Sequence, residues 1–257
     1  MIIHVLTAPL SRLVLAASVV LVLLMGCKEG SEGPPGPKLQ GTLIGFVRLV
    51  DVAGTFQADA SAVTVSIAGT NVSATSDALG KFVLNNVETG TYEVIYSKTA
   101  YGTLRRQGIS FASGGSASLG RVDLGQIPNY TVTTITGATV AGQTITINAN
   151  VNTVPANQVH RFVVFLGTTN DVSGNDPQKY RGYKTAQVNA GGTTFNVQWT
   201  VAELSAIGVI SANTPTLSFV AYGYNQFATD YTDLNTNRAV LPSLSQTASN
   251  VFSGNTP

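Results

Sequence analysis

Few side chains in this sequence have the chemistry to act on another molecule, and they lie far apart. Cys27 is the single thiol in 257 residues; a thiolate is a nucleophile and can carry an acyl or alkyl group. His4 and His160 are the two imidazoles. His160 stands beside Arg161 at the start of an apolar run, with no Ser or Cys placed nearby as a nucleophile. Asp171-Val172-Ser173-Gly174-Asn175-Asp176 offers oxygen ligands of the kind calcium takes, but without the EF-hand spacing or its distal Glu; the alternative is a solvated turn. Tyr222 and Tyr224 share one strand face, with Phe227 and Tyr231 beyond. Exposed, those rings form a ligand platform for sugar stacking; buried, they are core. This inventory holds no catalytic constellation, no metal set and no cofactor motif, so the expectation is a protein that is not an enzyme.

The elements around Cys27 decide what its thiol is for. Residues 13–25, LVLAASVVLVLLM, have the length of a signal-peptide apolar region and are short for a membrane span. Arg12 precedes them, and Gly26 and Cys27 follow. Leu24-Met25-Gly26-Cys27 resembles the bacterial lipobox: aliphatic at −3, small at −1, Cys at +1. The resemblance implies cleavage between Gly26 and Cys27, and acyl chains on Cys27 as the lipid attachment. Two or three chains anchor stably where one binds only marginally. An ordinary membrane anchor, or a secreted protein with a stray thiol, are the alternatives. Lys28 followed by Glu29 is similar to the surface-export signal of Bacteroidota lipoproteins, which implies a bacterial outer-membrane protein facing the exterior. The triplets from Gly30 to Lys38 are too few for a collagen helix and suit a polyproline-II tether.

Charge narrows the partners further. Charged residues are 11% of the chain, against roughly 25% in an average soluble domain. Beyond residue 26 the chain has 13 basic and 13 acidic side chains, so there is no basic stripe for nucleic acid. The expected partners are the membrane, through Cys27, and a glycan or a protein.

From Gly41 onward the pattern is period-2 alternation broken by turn residues. Thr42 to Val50 places Ile44, Phe46 and Arg48 on one face; Val63, Val65 and Ile67 point inward. Asp77-Ala78-Leu79-Gly80 is a turn, and Asn85 to Gly90 is expected to be another. About seven strands fall between residues 41 and 126, a β-sandwich count. "VTVSIAGTNVSATSDALGKFVLNNVETGTYEVIYSKTAYGT" resembles the carboxypeptidase regulatory-like domain, a transthyretin-like sandwich of the carbohydrate-binding-like fold group. The matching residues are Val63 to Ile67, Gly69-Thr70, Asp77 to Phe82, and Gly90-Thr91-Tyr92-Glu93-Val94; Ala100 stands where the family has Gly. The resemblance implies a turn role for Gly80 and Gly90 and a packing role for Phe82 and Tyr92, and it does not imply peptidase activity.

Residues 127–257 continue as strands, similar in pattern to fibronectin type III or immunoglobulin-like sandwiches. Thr200-Val201-Ala202-Glu203 is a capping box, which predicts one short helix over Val201–Ile207. The segments near Arg238–Leu241 and Thr247–Phe252 are expected to close the sheet. The predicted architecture is all-β: a cleaved signal peptide (1–26), a lipidated tether (27–40), and two β-sandwich domains (41–126 and 127–257). The function expected of it is adhesion, scaffolding or glycan or protein binding by a lipid-anchored surface protein, with assembly through exposed strand edges as the alternative.

Overall fold

A computed structural model describes residues 39–255 apart from 113, 142 and 211–215. Gly26 and Cys27, with the expected signal segment and most of the expected tether, lie outside the described residues. Residues 39–257 form one compact unit.

Seven strands build the first sandwich. Two layers face each other: β1 (Gln40–Val50) between β4 (Lys81–Glu88) and β7 (Ser116–Gly125), and the order β3 (Ser73–Thr75), β2 (Thr64–Ile67), β5 (Gly90–Ser97), β6 (Leu104–Phe111). β1 runs parallel to β7 and antiparallel to β4. Alternation decides the core: Val63, Val65 and Ile67 are buried as their spacing predicts, against Phe82, Leu84, Val94 and Tyr96. On β1 the inward residues are Leu43, Val47 and Leu49, so the face of Ile44, Phe46 and Arg48 is the outer one. A register shift at Ile44/Gly45 against β7 accompanies this choice. The turn expected over residues 85–90 is corrected: β4 continues to Glu88, because Val87 is buried in the core and pairs with Gly41. Tyr92 holds the β4–β5 corner by donating its hydroxyl to the Glu88 carbonyl at 2.8 Å.

The second sandwich stacks β12 (Thr194–Thr200), β9 (Thr144–Val151) and β8 (Val132–Ala141) on a four-stranded sheet. That sheet is ordered β11 (Gly182–Asn189), β10 (Val159–Gly167), β13 (Thr216–Gly223), β16 (Phe252–Asn255). Ile145, Ile147, Val197 and Trp199 meet Phe162, Val164, Leu166 and Phe219 between the layers. The helix α1 (Val201–Ala206) starts on the predicted capping box: Glu203 N donates to Thr200 Oγ1, and Thr200 N donates to Glu203 Oε2. Of the segments expected to close the sheet, Arg238–Val240 instead pairs with Tyr231–Asp233 in a separate hairpin, and the closing strand lies further along than expected, at Phe252–Asn255, paired with Thr216–Phe219.

β10 and β13 are buried on both faces. Their outer face carries Val163, Phe165, Val220 and Tyr222, covered by Val172 and Tyr180 from one loop and by Leu241 and Leu244 from another. The second of these loops includes the hairpin β14 (Tyr231–Asp233) and β15 (Arg238–Val240). It also reaches across to the first sandwich.

Candidate functional site

The loop 224–245 joins the two sandwiches. Asn225 is fully buried among backbone carbonyls. Its Nδ2 donates to Gln126 O (3.0 Å), Asp51 O (3.2 Å) and Val50 O (3.3 Å), and its Oδ1 accepts from Phe227 N (3.1 Å). Ser243, equally buried, donates to Gly125 O at 2.9 Å. Thr229 exchanges two bonds with the backbone of Asp123, whose carboxylate holds Arg48 in a bidentate pair, both contacts 2.8 Å. Phe227 packs against Gly54, where a Cβ would come within 2.8 Å of its ring. A polar side chain satisfied on every side is costly to disturb, so this seam makes the two sandwiches one body.

A cavity of about 440 Å³ opens beside the seam, within the usual range for a small-molecule site. Three separate stretches line it: Asp51 to Ala53 after β1, Gln126 and Asn129 in the connection between the sandwiches, and Asn157 to Arg161 leading into β10. The His160 ring stacks on Tyr130, centroids 3.8 Å apart and 8° from parallel, and lies 3.1 Å from Gln158 Oε1. Burial lowers the His160 pKa below the usual imidazole value, which keeps it neutral at neutral pH. The Arg161 guanidinium lies 4.8 Å from the centre of Phe227. Its Nε is shielded from solvent and has no hydrogen-bond partner. Asp51 Oδ1 accepts from Ala53 N and Thr55 N, and its carboxylate makes no ion pair with Arg161 although both line the cavity. The wall thus combines amide side chains, one cation and one anion. Such groups bind and orient a polar molecule, and none of the described lining residues is a Ser, Thr or Cys.

Tyr222 and Tyr224 do not form a platform. They are 4% and 6% exposed, because the loops over the outer face of β13 cover them. Tyr222 meets Phe165 edge-on at 5.8 Å and its hydroxyl shares a hydrogen bond with Ser173. Tyr224 donates to Asp230 Oδ2 at 3.0 Å. Burial pushes the Asp230 carboxyl up to about 6, against the lowering effect of that bond. Tyr231 is half-buried and packs on the first sandwich's core. In the 171–176 loop, Asp171 pairs with Lys179 at 3.4 Å and accepts from Thr169, while Asp176 accepts from Gln178 N and ties its own turn. Among the described residues no three His, Cys, Asp or Glu side chains cluster as a metal would need.

Sequence reasoning singled out His160 and Arg161 but not what faces them, since Asp51 and Gln126 lie more than thirty residues away. The signal that could have found the seam is Asn225, an amide closing a run of buried strand residues.

The fold is that of an all-β protein built as a double sandwich. Within it, residues 49–125 match the model of the carboxypeptidase regulatory-like domain, a non-catalytic domain type. No curated protein matches the chain. Among solved structures, a chain of the type II cohesin–X-dockerin complex from Acetivibrio cellulolyticus, in a C-terminal interface mutant, is 27% identical over 33% of this chain and 56% of that one, with a TM-score of 0.30. This chain therefore spans little more than half the length of that relative. A candidate carbohydrate-binding protein from Bacteroides uniformis is 13% identical over 84% of this chain and 99% of its own, TM-score 0.29. A DUF3823 family protein from Bacteroides ovatus is 13% identical over 84% and 98%, TM-score 0.28.

Proposed function

We propose that this chain is a lipid-anchored bacterial outer-membrane protein that displays its double sandwich at the cell surface as a non-catalytic binding or scaffolding module for a glycan or protein. The observation that carries the binding role is the polar cavity beside a rigid inter-sandwich seam, a place where three distant stretches meet in fixed geometry. The lipobox at Leu24 to Cys27 supports the anchor, and the Gly/Pro tether supports display away from the bilayer. Assembly by strand addition is the less favoured role, because both ten-residue edge strands are partly capped. Thr229 bonds the backbone of Asp123 on β7, and the Asn250 carboxamide bonds both Ile135 N and Ile135 O on β8.

Two experiments test this. Cys27→Ala moves the protein from the membrane fraction to the soluble fraction of a bacterial lysate; retention in the membrane refutes the anchor. A glycan and protein array probed with the full chain in detergent returns reproducible ligands; silence across both arrays refutes the binding role.

A further inference from the structure

Arg161 is the one cavity group whose charge the fold leaves unanswered. Its guanidinium makes no hydrogen bond and no ion pair among the described residues, its Nε is cut off from solvent, and Phe227 fixes it from one side. An arginine that holds no structural partner at the wall of a 440 Å³ cavity is placed for an incoming anion. Through its two terminal nitrogens, which are not shielded as Nε is, the planar guanidinium matches a carboxylate in two-point geometry. Around it the lining is unusually rich in carboxamides: Gln126, Asn129, Asn157 and Gln158. Carboxamides both donate and accept, as hydroxyl-rich molecules require. Asp51 adds acceptor oxygen at the same wall, with Oδ1 already engaged by its own turn. The flat His160–Tyr130 stack borders the site and, with His160 neutral, brings no second positive charge.

From this we infer that the junction cavity binds a saccharide bearing a carboxylate, a uronic or sialic acid class of sugar, with Arg161 taking the carboxylate and the amide side chains and Asp51 taking hydroxyls. The inference rests on the binding role proposed above and gives it a site and a ligand class. A phosphate monoester, with close to two charges at neutral pH, would ask for more than one cation, and the cavity lining supplies one. A neutral sugar would leave Arg161 as it is.

The test titrates the full chain in detergent calorimetrically with trigalacturonate, a hyaluronan tetrasaccharide and 3′-sialyllactose, each beside its carboxyl-reduced neutral counterpart. At least one acid binds, its neutral counterpart binds about tenfold more weakly or worse, and Arg161→Gln abolishes the difference while Arg161→Lys restores part of it. Absence of binding by all three acids overturns the inference, as does equal binding of acid and neutral forms, or a preference that survives Arg161→Gln. Should Arg161→Gln lose its near-ultraviolet circular dichroism, the acid and neutral pair on the unaltered chain still decides, with affinity for the acid falling as salt rises from about 0.05 to 0.5 M. Binding of neutral glycans alone, or of a short peptide through its free carboxyl terminus, sinks the inference and leaves the wider binding role standing. Silence on the arrays sinks that role as well.

Discussion

Asn225 is the side chain on which the union of the two sandwiches most depends, and its removal has a calculable cost. Its amide hydrogens are shared among three carbonyls. Two of those carbonyls keep other partners in its absence: Val50 O accepts from Gln126 N, and Asp51 O accepts from Gly54 N. Asn225→Ala therefore strands chiefly Gln126 O and Phe227 N in a buried place. At about 1–3 kcal/mol for each of the two stranded groups, the loss is about 2–6 kcal/mol. For a unit of this size that lowers the melting temperature by roughly 4–24 °C. Asn225→Asp places a carboxylate oxygen against the same carbonyls and costs more at neutral pH. Its burial raises the introduced carboxyl's pKa above the unfolded value, so the variant gains stability as pH falls and the group protonates. Calorimetry over a pH series measures both, and hydrogen exchange at the Phe227 amide locates the loss. A melting point for Asn225→Ala within a degree of the parent, or an Asn225→Asp variant indifferent to pH, would refute the idea that this amide joins the sandwiches.

Other expectations follow from single contacts. Glu203 is lowered to about 2, first by the hydrogen bond from Lys184 and then by the backbone N–H of Thr200. Its folded value lies below the unfolded one, so its stabilisation is present above about pH 4.3 and is lost as pH falls towards 2. In an NMR titration of the carboxyl, Lys184→Ala moves the midpoint upward, and an unmoved midpoint contradicts the assignment. Asp230 has the opposite sign: raised to about 6, it costs stability as pH climbs from about 4 through 6. Asp230→Asn removes that slope from the melting curve, and a slope left intact assigns it elsewhere. Gly80 sits at φ +77° with Val47 O only 1.8 Å from where a Cβ would be, whereas Gly69, at φ +73°, has open space. Gly80→Ala costs about 2 kcal/mol or more beyond Gly69→Ala in urea unfolding; equal costs refute the steric reading.

The class of this protein was legible in its sequence for a local reason. Side-chain alternation is set by the strand backbone itself, so Val63, Val65 and Ile67 announce a strand wherever it packs. The capping box at Thr200 and Glu203 and the turn at Asp77 to Gly80 are equally local: each is satisfied within four residues. The carboxypeptidase regulatory-like segment is legible for the same reason, as a string of such local units.

What alternation leaves open is which face a neighbour covers. Tyr222 and Tyr224 alternate as an exposed aromatic pair would, and only the fold of residues 168–181 and 224–245 over β13 buries them. On β1 the same ambiguity put Ile44, Phe46 and Arg48 outward, settled by the opposing sheet rather than by β1. The cavity is the extreme case. Asp51, Gln126 and Arg161 have no sequence relation to one another, and they share a wall because Asn225 binds the carbonyls of Val50, Asp51 and Gln126 directly after β13 leaves its pairing with β10. The strands were written in the sequence, while the meeting of the two sandwiches, and the unpaired cation it leaves at the junction, came from long-range packing.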